Sequence, residues 1–206
     1  QYWIPFARST PLFYYNTDLM AKVGVTESDI ATWDGVMAAA KAMVAKGVSK
    51  HPIAWSWAQA EAVICDFAQL LGAFGGTFAG ADGKLNFNSA QGQQTLQFMV
   101  DTLKDGTSAP GSPTFLEDDV IKALQSGDTA FGLNWESTFR DLNDAKASKV
   151  VGKCGVMATP TGSSGKRPGV NGAMAFAVTS GSKNPDAAWK LIEFATSQEV
   201  QNPLAK

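Results

Sequence analysis

The chain has 206 residues, of which 45% are hydrophobic and 10% aromatic, and this content is enough to bury one sizeable core. The formal net charge is -2 and no block of Lys or Arg is present, which argues against a nucleic-acid-binding surface. No apolar run approaches the roughly 20 residues of a membrane-spanning helix. The chain starts at Gln1-Tyr2-Trp3 without an initiator Met or a signal peptide, so we interpret it as an excised or mature segment.

Strand and helix patterns alternate from the start of the chain, which is typical of an α/β fold. The first half begins with a short aromatic strand at 12–15, followed by helices capped by Asn16 and Thr32 and by a strand at 53–55. The next helix has an apolar face that we expect to be buried, formed by Val63, Ile64, Phe67, Leu70 and Leu71.

The rest of the chain continues this alternation. Asp82-Gly83 indicates a hairpin turn between two short apolar segments, Ser89 caps a helix, and Asn184-Pro185-Asp186 starts the last helix. Apart from a helix at 139–147, the remaining predicted elements are strands at 129–133, 154–158 and 173–178. The residues that we expect to be buried are Leu96, Met99, Val100 and Leu103 in the helix after Ser89, and Trp189, Ile192 and Phe194 or Ala195 in the last helix.

Five short strands interleaved with helices predict one open, mixed sheet with helices on both faces. In such sheets, ligands bind beyond the carboxyl ends of the strands. This rule selects three segments for candidate ligand contacts, at 55–61, 134–137 and 170–173.

Trp57 and Trp135 each follow a predicted strand, where an indole face can stack on the apolar side of a sugar ring. The alternative for both is a packing role at the edge of the sheet. Glu61 lies about one helical turn after Trp57, and its carboxylate can accept hydrogen bonds from hydroxyl groups. Alternatively, Glu61 is a first-turn acid that the helix dipole favours.

Two further segments carry polar groups suited to a small ligand. Arg8, Ser9 and Thr10 form a proline-bounded turn before the first strand, and donors at this place suit a hydroxyl-rich or anionic molecule. Before the last strand, Asn171 supplies a donor and an acceptor, and Gly172 allows the backbone to approach a ligand closely. An ordinary turn explains Asn171 and Gly172 equally well.

The sequence carries little that indicates catalysis. His51 is the only histidine, and no nucleophile elbow, phosphate-binding glycine loop or zinc-protease motif is present. Cys65 and Cys154 have no neighbouring His or Cys, so we expect no metal site, and we expect no cofactor either. The two cysteines are either buried thiols or a disulfide pair. The enzymatic alternative is a glycoside-active domain that uses Glu61 or Glu136.

Four segments follow one another along nearly the whole chain in a characteristic order. They are Arg8-Ser9-Thr10-Pro11 to Tyr15-Asn16-Thr17-Asp18-Leu19; a Trp-bearing loop before a helix, with Gly75-Gly76 and Asp82-Gly83-Lys84; Ala123-Leu124-Gln125-Ser126-Gly127-Asp128-Thr129-Ala130-Phe131-Gly132; and Asn171-Gly172 with Ser182-Lys183-Asn184-Pro185-Asp186-Ala187-Ala188-Trp189. Together they resemble the extracellular solute-binding proteins of family 1, the receptors of carbohydrate ABC importers.

The resemblance implies a periplasmic-binding-protein fold of the second type, in which two α/β lobes close on a ligand around a hinge. Residues 1–206 match only the second lobe, without the first lobe and the C-terminal end. The resemblance also implies a sugar, polyol or glycerol-phosphodiester-like ligand, an ABC permease as membrane partner, a periplasmic or extracellular location with or without a lipid anchor, and no chemistry of its own. The positions that match ligand contacts of the family are Arg8, Ser9, Trp57, Trp135, Asn171 and Gly172.

Overall fold

The structure is a computed structural model that describes residues 3–204. Its strands are Ile4–Ala7 (β1), Pro11–Asn16 (β2), Ile53–Ala54 (β3), Phe131–Trp135 (β4), Cys154–Met157 (β5) and Met174–Phe176 (β6). Its α-helices are Thr17–Val23 (α1), Trp33–Ala45 (α2), Glu61–Ala73 (α3), Ala90–Lys104 (α4), Glu117–Gln125 (α5), Thr138–Leu142 (α6), Pro185–Ala195 (α7) and Gln198–Leu204 (α8). The described chain divides into a larger unit, residues 11–170, and a smaller unit, residues 3–10 with 171–204.

The larger unit is built on a four-stranded sheet with the strand order β3-β4-β2-β5. β3 runs parallel to β4, while β2 is antiparallel to both β4 and β5, so the sheet is mixed, as predicted. Pro11 at the start of β2 pairs with Trp135 at the end of β4. The start of β2 therefore lies at the same edge as the carboxyl ends of β3 and β4.

Helices cover both faces of this sheet. Successive residues of a strand point to opposite faces, and Phe13 and Tyr15 of β2 belong to one buried cluster whereas Tyr14 belongs to another. The first cluster joins the sheet to α1, α2, α3 and α4, and the second joins it to α5 and α6. The predicted α/β fold with an open mixed sheet covered on both faces is confirmed.

β4 carries a glycine where α5 crosses the sheet closely. A Cβ atom at Gly132 would lie 3.0 Å from Cγ1 of Val120 and 3.3 Å from Cδ1 of Leu124, closer than packed carbon atoms normally approach. Because Gly132 has no side chain, α5 rests directly on the strand. Its first residue, Glu117, is thereby held beside the end of β4.

Three of the predicted helix starts have side-chain caps. The side chains of Asn16, Thr32 and Ser89 accept hydrogen bonds from the backbone N–H three residues further on, at 3.1, 3.1 and 3.3 Å. These bonds satisfy N–H groups that have no partner inside the helix. Asn184 precedes α7 as predicted, but its side chain makes no capping hydrogen bond.

The strand predicted at 173–178 is not a fifth strand of the main sheet. Its regular part, β6, pairs with β1 in a separate antiparallel two-stranded sheet. The sequence predicts a proline-bounded turn here and no β1, and Pro5, which lacks an N–H, is uncommon inside a strand. A two-stranded sheet tolerates this residue, since each strand has an edge that needs no partner.

The burial predicted for the apolar faces of α3 and α4 was partly wrong. Met99 is buried, but Leu96 is 55% exposed, and Ile64 and Val100 are exposed as well. The buried face of α4 is completed by residues with small or short side chains, namely Gly92, Thr95 and Thr102. The helix is therefore rotated toward its smaller residues, and part of its aliphatic stripe faces solvent.

Two further predictions, one on a turn and one on the last predicted helix, need correction. Asp82-Gly83 forms a turn that is closed by one isolated bridge rather than by two strands. In α7, Ile192 is buried as expected, whereas Trp189 and Phe194 are exposed. No helix among residues 3–204 has both the length and the apolar character needed to cross a membrane.

Candidate functional site

A cleft opens to solvent at the sheet edge where β3 and β4 end and β2 begins. The space that it encloses is about 10 Å³, which is room for one water molecule, and it lies between the strand ends and the first turns of α3 and α5. Its lining consists of Pro11, Ser56, Ala62, Cys65, Asp66, Glu117, Leu133, Asn134 and Trp135. This is the edge at which the strand topology predicts a ligand.

Trp135 is the aromatic side chain of this cleft. It is the last residue of β4, which runs two residues further than predicted. Its indole N–H lies 3.4 Å from Oε1 of Glu117, and its backbone carbonyl accepts a hydrogen bond of 2.9 Å from the hydroxyl of the buried Tyr14. The ring is partly exposed, so it is fixed in place and still accessible from the cleft.

Asn134 ties the strand side of the cleft to the helix side. It is buried, and its Nδ2 donates to the backbone carbonyl of Glu117 at 2.9 Å. Its Oδ1 accepts a hydrogen bond of 2.8 Å from the backbone N–H of Trp135. These two bonds hold the carboxylate of Glu117 beside the indole of Trp135.

Asp66 is a buried carboxyl group in the cleft lining. It is 3% exposed, and its Oδ2 accepts a long hydrogen bond of 3.4 Å from the hydroxyl of Ser56. Burial raises the pKa of this carboxyl to about 8, while Ser56 and the indole of Trp57 partly oppose the shift and Glu117 adds to it. At neutral pH the group is therefore mainly the protonated acid, which can donate as well as accept a hydrogen bond.

Trp57 is more buried than a simple stacking surface would be. It is 7% exposed, and one face of its ring stacks on Trp55 with a centroid distance of 4.8 Å and an interplanar angle of 14°. Its indole N–H is close enough to Asp66 to lower the pKa of that carboxyl, yet it has no partner within hydrogen-bond geometry. This N–H is therefore a buried donor without a hydrogen-bond partner. A ligand contact for Trp57 stays a prediction.

Glu61 is the exposed first residue of α3, and it touches a residue of the cleft lining. Its Oε1 accepts a hydrogen bond of 3.2 Å from Sγ of Cys65. Burial, followed by the effect of Glu61, raises the pKa of this thiol to about 12, so Cys65 is a neutral thiol rather than a nucleophile. Cys154 is likewise a free cysteine. Within residues 3–204, no group of His, Cys, Asp or Glu is arranged to hold a metal ion.

The other four predicted ligand residues lie together in the smaller unit. The backbone N–H of Gly172 donates to the carbonyl of Ser9 at 2.9 Å. Oδ1 of Asn171 accepts a hydrogen bond of 3.1 Å from the backbone N–H of Ala173, an arrangement typical of an Asx turn. Arg8 follows β1 directly and is exposed. These residues therefore flank the paired ends of β1 and β6.

The seven predicted site residues thus form two groups, one in each unit. In the larger unit, Trp135 lines the cleft, and Trp57 and Glu61 contact residues that line it. One signal could have identified Asp66, because this acid lies on the apolar face of α3 four residues before Leu70. Ser56 and Asn134 of the lining lie within the segments selected from the sequence, whereas Cys65, Asp66 and Glu117 lie outside all three segments.

Comparison with known sequences identifies a family. The profile of the family described as "Bacterial extracellular solute-binding protein" matches residues 2–202. The chain is 28% identical over 204 residues to a probable ABC transporter-binding protein of Deinococcus radiodurans. The aligned region covers 96% of this chain and 48% of that protein. It is 36% identical over 118 residues to the sn-glycerol-3-phosphate-binding periplasmic protein UgpB of Brucella abortus, covering 53% of this chain and 26% of that protein.

Solved structures are similar over almost the whole chain. Maltose-bound MalE3 of T. maritima matches with a TM-score of 0.86 at 32% identity, over 97% of this chain and 51% of that protein. An ABC transporter solute-binding protein of Agrobacterium vitis S4 with bound D-mannitol matches with a TM-score of 0.84 at 25% identity, over 99% of this chain and 49% of that protein. The chain thus spans about half the length of these proteins. It belongs to the family of bacterial extracellular solute-binding proteins.

Proposed function

We propose that the chain is the second ligand-binding lobe of an ABC-importer receptor, and that its ligand is a sugar or a polyol. The observation that carries this proposal is the carboxyl edge of the sheet, where the accessible ring of Trp135 lies beside the carboxyl groups of Asp66 and Glu117. An indole face can stack on the C–H side of a sugar ring while carboxyl groups bond its hydroxyls. The similar proteins with bound maltose and D-mannitol support this class of ligand.

The rest of the receptor is part of the same proposal. Because the chain spans about half of its relatives, we propose that a first lobe and a C-terminal end in the same polypeptide complete it. Closure of both lobes around the solute would then be recognised by an ABC permease in the membrane. The family supports a periplasmic or extracellular location, with or without a lipid anchor. The further proposed ligand contacts are Arg8, Ser9, Trp57, Glu61, Asn171 and Gly172.

We also propose that the protein is not an enzyme. Its family and the similar proteins are transport binding proteins, which favours binding over a glycoside-active domain that uses Glu61 or Glu136. Incubation with chromogenic glycosides should give no sustained product release. Release that Glu61→Gln or Glu136→Gln abolishes would contradict this part of the proposal.

The binding proposal is tested with Trp135→Ala in the natural polypeptide that contains this chain. Thermal melts with maltose, D-mannitol and other neutral sugars identify the best solute, and calorimetry then gives its Kd. Loss of the stacking surface should weaken binding by about 1–3 kcal/mol, or roughly tenfold to a hundredfold. Trp189→Ala makes the same change at an exposed Trp of α7 and should leave the Kd unchanged. Equal effects of the two substitutions would count against the cleft as the binding site.

The lobe assignment has a separate test. Residues 1–206 alone should gain little thermal stability from a sugar that raises the Tm of the natural polypeptide by several degrees. The reason is that half of the contacts and the exclusion of water are missing from a single lobe. Tight, saturable sugar binding by residues 1–206 alone would contradict the assignment.

A further inference from the structure

The smaller unit leaves most of its large apolar side chains in contact with solvent. Within residues 3–10 and 171–204, Ile192 is the one buried residue. The large apolar side chains that are exposed there are Trp3, Met174, Trp189, Leu191 and Phe194. Burial of so little apolar surface contributes little to stability, and a two-stranded sheet by itself is at best marginally stable. The described part of this unit therefore has no core of its own.

Three exposed side chains of α7 form one continuous apolar surface, which we call the α7 face. Leu191 and Phe194 are three residues apart, and Ala187 lies one turn before Leu191, so the three side chains are neighbours on the helix. The apolar residues of α7 together span roughly 220° of its circumference, at about 100° per residue. A surface helix typically has an apolar stripe of about 100°. Ile192 accounts for a stripe of that width, and the α7 face is additional.

Charged residues are confined to the other side of α7. Asp186, Lys190 and Glu193 are exposed, and the helical period places them together on the remaining arc of the helix. The α7 face itself contains no charged side chain. Depletion of charge is typical of the core of a protein interface, so this side of the helix has the composition of a surface that another segment covers.

The remainder of the natural polypeptide is the occupant that these observations favour. The chain spans about half the length of its relatives, and the match to the family includes α7. Residues 3–10 and 171–204 both belong to the smaller unit, so polypeptide that continues from either end starts in the unit that carries the α7 face. A covalently attached segment is present at a high effective concentration, whereas a second molecule has to reach the surface by diffusion.

We infer that the α7 face is an internal interface of the natural polypeptide, covered by polypeptide that lies outside residues 1–206. The smaller unit is then the edge of a core that this polypeptide completes, and its folding depends on that polypeptide. The inference rests on the proposed function, because that proposal includes the remainder of the receptor. It adds the side chains that join the two parts, namely Leu191 and Phe194.

Amide hydrogen exchange followed by mass spectrometry tests the inference on the natural polypeptide and on residues 1–206. The amides of α7 should exchange at least about a hundredfold more slowly in the natural polypeptide, because a helix packed on a core opens less often than one whose apolar face is in water. Peptides from β4, which lies inside the core of the larger unit, are the internal reference. The rate of exchange should change much less in β4 than in α7.

Substitutions in the natural polypeptide then locate the interface. Phe194→Ala should accelerate the exchange of α7 at least about tenfold, because truncation of a packed Phe leaves a cavity. Leu191→Ala is the milder variant and should act in the same direction. The control is Glu193→Ala, which shortens the side chain next to Phe194 on the charged side of α7 and should keep the rate within about twofold of the wild type. In residues 1–206 alone, where Phe194 is mostly in solvent, Phe194→Ala should also stay within about twofold.

Three outcomes would overturn the inference. The first is a change in α7 no larger than the change in β4, and the second is a pair of variants, Phe194→Ala and Leu191→Ala, that exchange like Glu193→Ala. The third is a natural polypeptide that sediments as a dimer and that Phe194→Ala converts to a monomer, because a second copy would then cover the α7 face. Solute binding measured by calorimetry keeps the two proposals apart: binding that persists in any of these cases leaves the proposed function standing. A protected α7 in a polypeptide that binds no sugar or polyol leaves the internal interface standing.

Discussion

The two units differ in what happens to their aromatic and aliphatic side chains. In the larger unit, Phe13 and Phe131 are fully buried and stack with a centroid distance of 5.7 Å. In α7 of the smaller unit, Leu191 is 67% exposed and Phe194 is 60% exposed, although Ile192 beside them is buried. Both segments are rich in apolar residues, so apolar content alone does not decide burial.

The difference follows from the number of layers around each segment. β4 lies inside a four-stranded sheet with helices on both faces, so its side chains are enclosed on both sides. β1 and β6 form only a two-stranded sheet, which offers little surface against which a helix can pack. The apolar pattern of α7 therefore predicts its helical conformation but not its burial within the described residues.

Replacing one phenylalanine in each unit tests this difference most strongly. Phe131→Ala leaves a cavity between the layers of the larger unit and should lower the free energy of unfolding by about 3–5 kcal/mol. Phe194→Ala removes a side chain that is mostly in solvent and should change it by less than about 0.5 kcal/mol. Urea unfolding followed by far-UV circular dichroism measures both. A loss of several kcal/mol from Phe194→Ala would show that this side chain is covered in solution.

The two units can also be compared through the pH dependence of stability, because the larger unit contains a buried acid. The pKa of Asp66 is about 8 in the folded chain and about 4 in an unfolded one. Because the folded chain favours the protonated form, the stability that Asp66 contributes is fully present below about pH 4 and is lost as the pH rises through about 8. Asn at this position stays neutral, so the stability of Asp66→Asn relative to wild type should rise by about 2–4 kcal/mol between pH 5 and pH 8.

The control for this pH dependence is an acid of the smaller unit. Glu193 in α7 is exposed, and Glu193→Gln should change the free energy of unfolding by less than about 0.5 kcal/mol. Urea unfolding at closely spaced pH values gives the three profiles. Parallel profiles for wild type and Asp66→Asn would mean that the Asp66 carboxyl is solvated in the folded chain.

Most of the larger unit could be predicted from the sequence because its signals are local. The aromatic run at β2 and the caps Asn16, Thr32 and Ser89 each fix one element through neighbouring residues. The partner of a strand is not a local property, and for this reason the sequence predicts β6 in the main sheet although β6 pairs with β1. The same holds for β1. Whether a strand tolerates a proline such as Pro5 depends on which strands lie beside it.

The same distinction between local and long-range signals applies to the candidate site. Trp135 could be predicted because a residue at the carboxyl end of a strand is recognisable from the strand itself. Asp66 and Glu117 meet only because α3 and α5 both start at this edge of the sheet, and because Gly132 lets α5 rest on β4. Asp66 and Glu117 are about 50 positions apart in the sequence, and their proximity leaves no pattern within a single helix or strand.

The helix caps give the comparison of the two units with the smallest expected effect on stability. The sequence predicts a cap at Thr32 in the larger unit and at Asn184 in the smaller one, but only Thr32 accepts a backbone hydrogen bond, from Gly35 at 3.1 Å. Thr32→Ala should therefore lower the free energy of unfolding by about 1 kcal/mol, and Thr32→Ser, which keeps the oxygen, by much less. Asn184→Ala should change it by less than about 0.5 kcal/mol, because no capping bond is lost. If urea unfolding gives equal losses for both alanine variants, Asn184 caps α7 in solution, and the two units then use the same means of starting a helix.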